Sequence, residues 1–225
     1  METTPERAAA FERYTEMLLS EGRRFNLTAL RDRESIQRRH FGESLALLRA
    51  LEQASAFASP AIDIGSGAGF PGLPIKIARP EIALTLLEAT GKKARFLEEV
   101  VAALGLNRVQ VVHGRAEDIA HDSQCREAYA LALARAVAPL RILVELALPF
   151  VRVGGHLAAP KGSGAAREVR EAVEALRICG GEVALVQELD ATGPGARPTL
   201  VLVRKVTATP PQYPRRLGVP AHRPL

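Results

Sequence analysis

A loop with glycine at every second position constrains the fold of this chain more than any other feature. The short apolar segment 61–64 runs directly into Gly65, Gly67 and Gly69, and helical periodicity begins at Gly72. Glycine lets the backbone turn tightly and lets a ligand approach without a Cβ atom in its way. A strand, a glycine loop and a helix in this order are the context of a nucleotide-type loop. We therefore expect an α/β fold with its ligand at this loop.

Strand-like and helix-like segments alternate after the loop, and two β-rich segments then follow each other across Gly193-Pro194-Gly195. Repeated alternation implies right-handed βαβ units and a mostly parallel sheet, to which the last two strands add an antiparallel edge hairpin. The sequence therefore predicts a Rossmann-like fold with seven strands. Strands are expected at 61–64, 82–87, 109–112, 129–134, 156–159 (after a turn at Gly154-Gly155), 183–189 and 199–206, and helices at 72–78, 92–104, 139–150 and 165–179.

The first 58 residues have helical rather than strand-like periodicity. Phe11, Tyr14 and Leu18 recur at helical spacing before Gly22, where we expect the first helix to end. A second helix is expected over about 33–51. The Pro- and Arg-rich end of the chain is expected to be extended and to lie partly on the surface. The sequence thus predicts a small N-terminal helical subdomain (1–58), a ligand-binding domain (59–206) and a basic C-terminal tail (207–225) that packs on that domain or extends from it.

Composition excludes several classes of protein. Of the 225 residues, 47% are hydrophobic, which is too many for a disordered chain. No stretch approaches the ~18 uninterrupted apolar residues that a membrane-spanning helix needs, and the first residues lack the apolar run of a secretory signal. Cys125 and Cys179 have no metal-like spacing. We expect a cytoplasmic protein, most simply a monomer, with no membrane partner, disulfide or metal.

Basic residues are concentrated in two regions. Residues 197–225 hold six Lys and Arg and no acid, and the stretch from Arg23 to Arg39 holds six Arg against Asp32 and Glu34. Residues 59–196 are close to neutral, with fifteen Lys and Arg against sixteen Asp and Glu. Two basic regions around a neutral body favour a polyanionic partner such as a nucleic acid, although solvated basic faces would give the same pattern.

The segment from Asp63 to Gly72 fits two classes of ligand. Its last three glycines match the G-x-G-x-x-G dinucleotide fingerprint, whereas Asp63 and its first three glycines match the acidic-glycine loop of S-adenosylmethionine (AdoMet) methyltransferases. A dinucleotide loop should begin right after the strand, at Gly65. The third fingerprint position would then be Phe70, which is bulky where close helix packing needs glycine or alanine. An acid at the start of the loop also suits a ligand with an ammonium group and a sulfonium, so the pattern favours AdoMet.

The ends of the next strands supply candidate contacts for a nucleoside. Glu88 can accept hydrogen bonds from ribose hydroxyls, although it could equally stabilise the start of the following helix. Ala116 leaves room for an adenine ring and Glu117 can bond its amine, but Glu117 and Asp118 could also be capping acids. Arg135 follows the fourth strand at the edge where ligands bind, or forms a surface ion pair.

Several further segments occur together with the glycine loop, and their combination resembles the small-subunit rRNA guanine-N7 methyltransferases, the RsmG family, also called glucose-inhibited division protein B. Glu43 and Glu88 stand where that family commonly has Asp. The matching segments are 25–29, 39–41 with Ser44 and Leu45, 63–72, 86–88 with 91–93, 115–117, 135–136, 161–162, 213–216 and 218–220.

The resemblance implies methylation, with AdoMet as cofactor, of N7 of the guanine usually called 527 in the 530 loop of 16S rRNA. The partner would be 16S rRNA or the small ribosomal subunit. An AdoMet methyltransferase for another RNA or for a protein, a nicotinamide-dependent oxidoreductase and a non-catalytic rRNA-binding factor remain alternatives. The residues expected to bind the cofactor are Asp63, Gly65, Gly67, Gly69, Phe70, Glu88, Ala116, Glu117 and Arg135, of which Gly65, Phe70, Ala116, Glu117 and Arg135 are the contacts implied by the resemblance.

The chemistry of guanine N7 predicts that no catalytic residue is required. N7 carries an exposed lone pair, so it can attack a methyl group without losing a proton. The enzyme mainly has to align the nucleophile with the methyl carbon and the sulfur. We therefore expect positioning residues rather than a general base, and the candidates are His40, Arg135 and Lys161.

Overall fold

The computed structural model describes residues 4–25, 32–191 and 197–225. The predicted segments 26–29 and 193–195 therefore lie outside the described residues. The helices are α1 (Pro5–Phe25), α2 (Arg33–Ser35), α3 (Gly42–Gln53), α4 (Gly72–Ala78), α5 (Gly91–Ala103), α6 (Ala116–Ile119), α7 (Leu140–Ala147), α8 (Ala165–Glu171), α9 (Val173–Cys179) and α10 (Val219–His222), with a π-helical segment, Ile36–Phe41, between α2 and α3. The strands are β1 (Ala61–Ile64), β2 (Leu84–Glu88), β3 (Val109–His113), β4 (Tyr129–Leu133), β5 (Val151–Lys161), β6 (Gly181–Glu188) and β7 (Thr199–Lys205).

The strands form one seven-stranded sheet in the order β3-β2-β1-β4-β5-β7-β6. The first five strands are mutually parallel, and β7 lies antiparallel to both β5 and β6. The prediction of a mostly parallel, seven-stranded sheet with an antiparallel edge is thus confirmed. Strand order reverses between β1 and β4, and ligands of open α/β sheets bind outside the carboxyl ends of the strands at such a point.

Apolar side chains cover both faces of the sheet. On one face Leu73 and Leu86 belong to the same buried cluster as Tyr14 of α1 and Leu47 of α3, so the N-terminal helices share a core with the sheet. On the other face the strands pack against α7, α8 and α9. The division of the chain at residues 58 and 206 stays a prediction. No described helix is both long enough and apolar enough to cross a bilayer.

Several predicted element boundaries were wrong. The predicted turn at Gly154-Gly155 lies inside β5. Gly154 has a φ of +85°, and the register of β5 against β4 shifts there. The two glycines therefore form a bulge within the strand rather than a turn before it. Helix α1 continues past Gly22 to Phe25, since one glycine costs a helix only about 1 kcal/mol, which a buried face outweighs. The predicted helix 165–179 is broken at Ala172, and α7 ends at Ala147 before a 3₁₀ turn.

The C-terminal tail packs against the body of the protein. Arg126 donates hydrogen bonds to the carbonyls of Thr209, Pro210 and Tyr213. Arg215 binds the fully buried carboxylate of Glu145 through Nε (2.8 Å), Nη2 (2.6 Å) and its own backbone N–H (2.9 Å). These contacts place α10 beside α7, near the carboxyl ends of the strands.

Candidate active site

The glycine loop turns through left-handed backbone conformations directly after β1. Gly65, Gly67 and Gly69 have φ values of +66°, +60° and +101°. The N–H of Gly65 donates to the carbonyl of Leu87 (2.8 Å), which ties the start of the loop to β2. A Cβ atom at Gly65 would lie 3.0 Å from Cγ2 of Val137, so only glycine leaves the space between the loop and that side chain open.

Two buried carboxylates hold the loop from beneath. Oδ2 of Asp63 accepts from the N–H of Gly72 (2.8 Å), where α4 begins. Oε2 of Glu88 accepts from the N–H of Gly67 (2.8 Å), and its Oε1 accepts from the N–H of Thr90 (2.7 Å). Both acids are less than 9% exposed. Each therefore satisfies backbone donors of the loop or of the following turn, whatever else it binds.

Asp63 is the electrostatically unusual group of the loop. It is fully buried, and its Oδ1 has no hydrogen-bond partner among the described residues. Burial raises the pKa of Asp63 to about 7, against the opposing effects of the Gly72 N–H and the Arg135 charge. The carboxyl group therefore exchanges its proton close to neutral pH, and Oδ1 can either accept or donate a hydrogen bond there.

Tyr14 of α1 is a site residue that sequence analysis missed. Its hydroxyl donates to the carbonyl of Ala68 in the middle of the glycine loop, and its ring stacks on Phe70 with centroids 5.6 Å apart. The side chain is fully buried. The only signal in the sequence was a tyrosine on the apolar face of a helix, a position that packing alone would explain. The first helix of the chain thus supports the loop directly.

An arginine, a histidine and an aromatic ring form a stack beside the loop. The His40 and Phe70 rings stack with centroids 4.3 Å apart, and Cζ of Arg135 lies 5.1 Å from the Phe70 centroid. Arg135 Nη2 lies 3.0 Å from His40 Nδ1, and its Nη1 lies 3.3 Å from Oε2 of Glu43. The guanidinium is thereby fixed in position and direction by three neighbours.

His40 is neutral in this arrangement. Burial and the charges of Arg135 and Arg39 lower the pKa of His40 to about 3. An arginine only donates hydrogen bonds, so Nδ1 of His40 accepts and the ring proton resides on Nε2. An imidazole with so low a pKa can orient a neighbour, but it is a weak base and carries no extra proton to donate as an acid at neutral pH. His40 therefore fits the predicted positioning role better than proton transfer.

Lys161 contacts the segment after β4 that contains Arg135. Its Nζ donates to the carbonyl of Ala138 (2.6 Å) and lies 3.0 Å from Oε2 of Glu168. The same Glu168 oxygen accepts from the N–H of Leu140 at the start of α7 (2.7 Å). Lys161 therefore braces the backbone after β4, and its role as a positioning residue stays a prediction.

Two cavities meet at this segment, and both are bordered by Val137, Ala138 and Pro139. The smaller, of about 400 Å³, is also lined by Ile64, Gly65, Leu87, Ala89, Gly114, Arg115, Ala116, Glu117, Ile142, Leu146 and Ala221. The larger, of about 530 Å³, is also lined by Arg39, Glu43, Arg135, Ala136, Pro160, Lys161, Gly162, Glu168 and Pro198.

The smaller cavity has the chemistry of a nucleoside site. Apolar side chains suit a flat ring, Glu117 offers a carboxylate, and its volume falls within the ~300–1,000 Å³ typical of small-molecule sites. Of the predicted cofactor residues, Gly65, Ala116 and Glu117 line it. Asp63, Gly67, Gly69, Phe70 and Glu88 lie in or beneath the loop, and Arg135 faces the larger cavity. No group of three or more His, Cys, Asp or Glu side chains within the described residues could hold a metal ion.

Comparison with known proteins decides between the remaining classes of enzyme. A family profile described as "GidB: rRNA small subunit methyltransferase G" matches residues 7–197. The chain belongs to this family. A ribosomal RNA small subunit methyltransferase G of Chloroflexus aggregans is 48% identical over 96% of this chain and 90% of its own length. That of Moorella thermoacetica is 46% identical over 98% and 91%.

Solved structures agree with the fold of this methyltransferase G family member. A mutant of MtNAS in complex with S-adenosylmethionine superposes with a TM-score of 0.58 and 20% identity, covering 88% of this chain and 72% of that chain. TYW2 of M. jannaschii in complex with AdoMet gives a TM-score of 0.52 and 11% identity over 72% of this chain and 77% of that chain. The predictions of the family, of the methyltransferase fold, and of an AdoMet-dependent rRNA methyltransferase are confirmed.

Proposed function

We propose that this enzyme transfers a methyl group from AdoMet to N7 of a guanine in the 16S rRNA of the small ribosomal subunit, at the position usually called 527. The observation that carries the proposal is the pair of cavities that share one wall at Val137, Ala138 and Pro139. One cavity suits a nucleoside cofactor, and the other is lined by cationic and polar groups. A methyl group can pass between two ligands only where their sites adjoin.

The cofactor would occupy the smaller cavity. Ala116 and Glu117 would face its adenine, and the apolar side chains of Leu87 and Ile142 would cover the ring. Each Glu88 oxygen already accepts one backbone hydrogen bond, so its remaining lone pairs are the ones available to ribose hydroxyls. The glycine loop, supported by Asp63, would carry the methionine portion. When bound, AdoMet supplies an electrophilic methyl group on a positively charged sulfur.

The residues around the cavities support a transfer that needs no general base. Guanine N7 has a free lone pair, and His40 is neutral and already hydrogen-bonded to Arg135. Alignment of nucleophile and methyl group can supply roughly 7–11 kcal/mol of the barrier. The rigid segment after β4, braced by Lys161, would set that alignment.

The RNA would approach from the larger cavity. Arg39 is exposed at its rim, and Arg135 and Lys161 lie deeper in the same walls. Arg135 and Lys161 are paired with Glu43 and Glu168, so the exposed Arg39 is the cation of this cavity that would contact the phosphate backbone, an interaction that ignores sequence and weakens with salt. We place the target guanine in this cavity, with its N7 directed at the shared wall.

Methyl transfer to defined RNAs tests this proposal. Purified enzyme is incubated with labelled AdoMet and with either small ribosomal subunits, naked 16S rRNA or tRNA, all from cells that lack this protein. We expect label in the small subunit or its rRNA, at N7 of one guanine in the 530 loop when modified nucleotides are mapped. Label in tRNA alone, or on a different atom or base, would reject the proposal.

A further inference from the structure

Glu43 and Arg135 together form a donor–acceptor pair on the wall of the larger cavity. Glu43 lies in the first turn of α3 and Arg135 directly after β4, with Oε2 and Nη1 3.3 Å apart. Their side chains are 26% and 16% exposed, so both are shielded from bulk water but can still be reached from the cavity. His40 and Phe70 fix the guanidinium from behind.

Apart from the exposed Arg39 at its rim, the other charged groups of this cavity already bind protein partners. Lys161 and Glu168 bind each other, the carbonyl of Ala138 and the N–H of Leu140. Glu43, by contrast, accepts a hydrogen bond only from Arg135 among the contacts of the described residues. A carboxylate has about four lone-pair positions, so Glu43 retains the capacity to accept two more hydrogen bonds.

A guanine that presents N7 for methylation can still be recognised by its Watson–Crick edge. That edge carries the O6 acceptor and the N1–H and N2–H₂ donors. Resting on the function proposed above, we propose that Glu43 selects guanine by accepting hydrogen bonds from N1–H and N2–H₂ while Arg135 donates to O6. Adenine has an amine where guanine has O6, and it has a lone pair at N1 where guanine has a hydrogen. Arg135 would then face a donor and Glu43 an acceptor, so neither hydrogen bond could form.

The pairing predicts a sensitivity to the base that a merely structural role would not give. The substrates are small subunits reconstituted with 16S rRNA that carries guanine or inosine at the target position, since inosine lacks only the N2 amine. For the wild-type enzyme we expect kcat/KM to fall by about 10- to 100-fold with inosine, because one charge-assisted hydrogen bond is lost. An equal rate on both substrates would overturn the inference without any variant.

The variant Glu43→Gln keeps the size of the side chain but replaces one acceptor oxygen with an amine. We expect kcat/KM on guanine to fall by at least about tenfold and the penalty for inosine to shrink to about twofold or less. Glu43→Asp keeps the charge with a shorter reach and should retain part of the discrimination. A Glu43→Gln enzyme with the wild-type penalty for inosine contradicts the proposal.

Two controls separate this inference from the proposed function. Affinity for S-adenosylhomocysteine, measured by calorimetry, should change by less than about twofold in Glu43→Gln, because Glu43 does not line the smaller cavity. Glu171→Gln removes the same charge from the exposed pair with Arg141 and should leave both rates unchanged. If the wild-type enzyme methylates no rRNA guanine, the proposed function itself fails; if it does so with no loss on inosine, only the role of Glu43 fails.

Discussion

Gly69 is the most crowded position of the glycine loop. Its φ is +101°, and a Cβ atom there would lie 2.6 Å from the Tyr14 hydroxyl. The carbonyl that Tyr14 binds belongs to the preceding residue, Ala68, so any displacement of Tyr14 also moves the loop. Conformational freedom and close packing are therefore both required at this one residue.

The variant Gly69→Ala should lose cofactor affinity by at least tenfold and lower the free energy of unfolding by more than about 2 kcal/mol, because backbone strain and a clash add up. Gly105→Ala is a matched control, since Gly105 also has a positive φ but no atom lies within 4 Å of the place a Cβ would take. It should cost only about 1 kcal/mol and leave binding of S-adenosylhomocysteine unchanged. Equal losses in the two variants would mean that strain alone matters at Gly69. Calorimetry and denaturant titration make the comparison.

Asp63 should make stability depend on pH in a defined window. Burial raises the pKa of Asp63 from its ordinary value of 3.8 to about 7, so the folded state holds a proton that the unfolded state has released. Stability from this group therefore falls as pH rises from about 4 to about 7, with a slope of at most about 1.4 kcal/mol per pH unit.

The variant Asp63→Asn removes this dependence. Its free energy of unfolding, relative to the wild type, should rise between pH 4 and pH 7 and level off above that range. His40 acts in the opposite sense, because its lowered pKa makes stability increase with pH from about 3 to about 6.5, so only the difference between the two proteins isolates Asp63. Urea titrations at a series of pH values measure it, and parallel pH profiles of the two proteins would contradict the prediction.

At the residue scale, spacing predicted the backbone of the site better than its side-chain partners. Glycines and acids that follow a strand have few alternative roles, so Gly65, Glu88 and Glu117 could be singled out from the sequence alone. The bond from Tyr14 to Ala68 spans 54 positions and depends on how α1 packs, which no local pattern specifies. Lys161 was also singled out as a candidate, but its bonds to Ala138 and Glu168 depend on the same kind of tertiary detail.

At the scale of elements, the C-terminal tail borders the candidate site. Arg215 joins it to Glu145 of α7, and Ala221 of α10 lines the smaller cavity. Without Arg215, the carboxylate of Glu145 would be buried and unpaired, a situation that costs about 3–5 kcal/mol. The position of α10 depends on this pair, because Arg215 Nη2 also donates to the carbonyl of Arg223 (2.8 Å).

The variant Arg215→Gln should therefore unfold about 3 kcal/mol more easily and bind S-adenosylhomocysteine at least several-fold more weakly. Arg177→Gln breaks an exposed pair with Glu174 and should change stability by less than about 1 kcal/mol, with no effect on binding. Thermal unfolding and calorimetry provide both readouts. Weakened folding with unaltered affinity in Arg215→Gln would show that the tail does not shape the cavity.

Hydrophobic periodicity predicted which helices and strands exist, but it did not predict their ends where tertiary packing determines them. The seven strands follow from apolar runs between turn residues, and each is present. Two consecutive glycines are a turn signal, but here pairing of β5 with β4 on either side of Gly154, and with β7 beyond it, keeps the strand continuous through a bulge. The π-helical turn Ile36–Phe41 brings both His40 and Phe41 to the aromatic stack, and its extra residue per turn leaves no clear signature in the apolar spacing.

On the scale of the whole molecule, the two basic regions of the sequence differ in what their arginine side chains contact. Arg215 of the tail is bound to Glu145, so part of the charge that predicted a polyanionic partner stabilises the fold instead. Arg39 is exposed at the rim of the larger cavity, at the carboxyl ends of the strands. Arg152 is equally exposed but lies near the start of β5, at the opposite end of the sheet.

We therefore expect Arg39→Gln to weaken binding of 16S rRNA and to lower the slope of log affinity against log salt by about one, since one phosphate contact is removed. Arg152→Gln carries the same change of charge and should leave both quantities as in the wild type. Fluorescence titration of labelled rRNA over a range of salt concentrations measures the slopes. The same loss in the two variants would indicate that only net charge attracts the RNA.

The segment from Val137 to Pro139 borders both cavities, so the two cavities share part of their wall. On the proposed assignment, a nucleoside on one side and the target base on the other would contact the same three residues. The release of one product would then change the contacts that hold the other. We expect the spent nucleoside and the modified ribosomal particle to leave in a fixed order during turnover rather than at random.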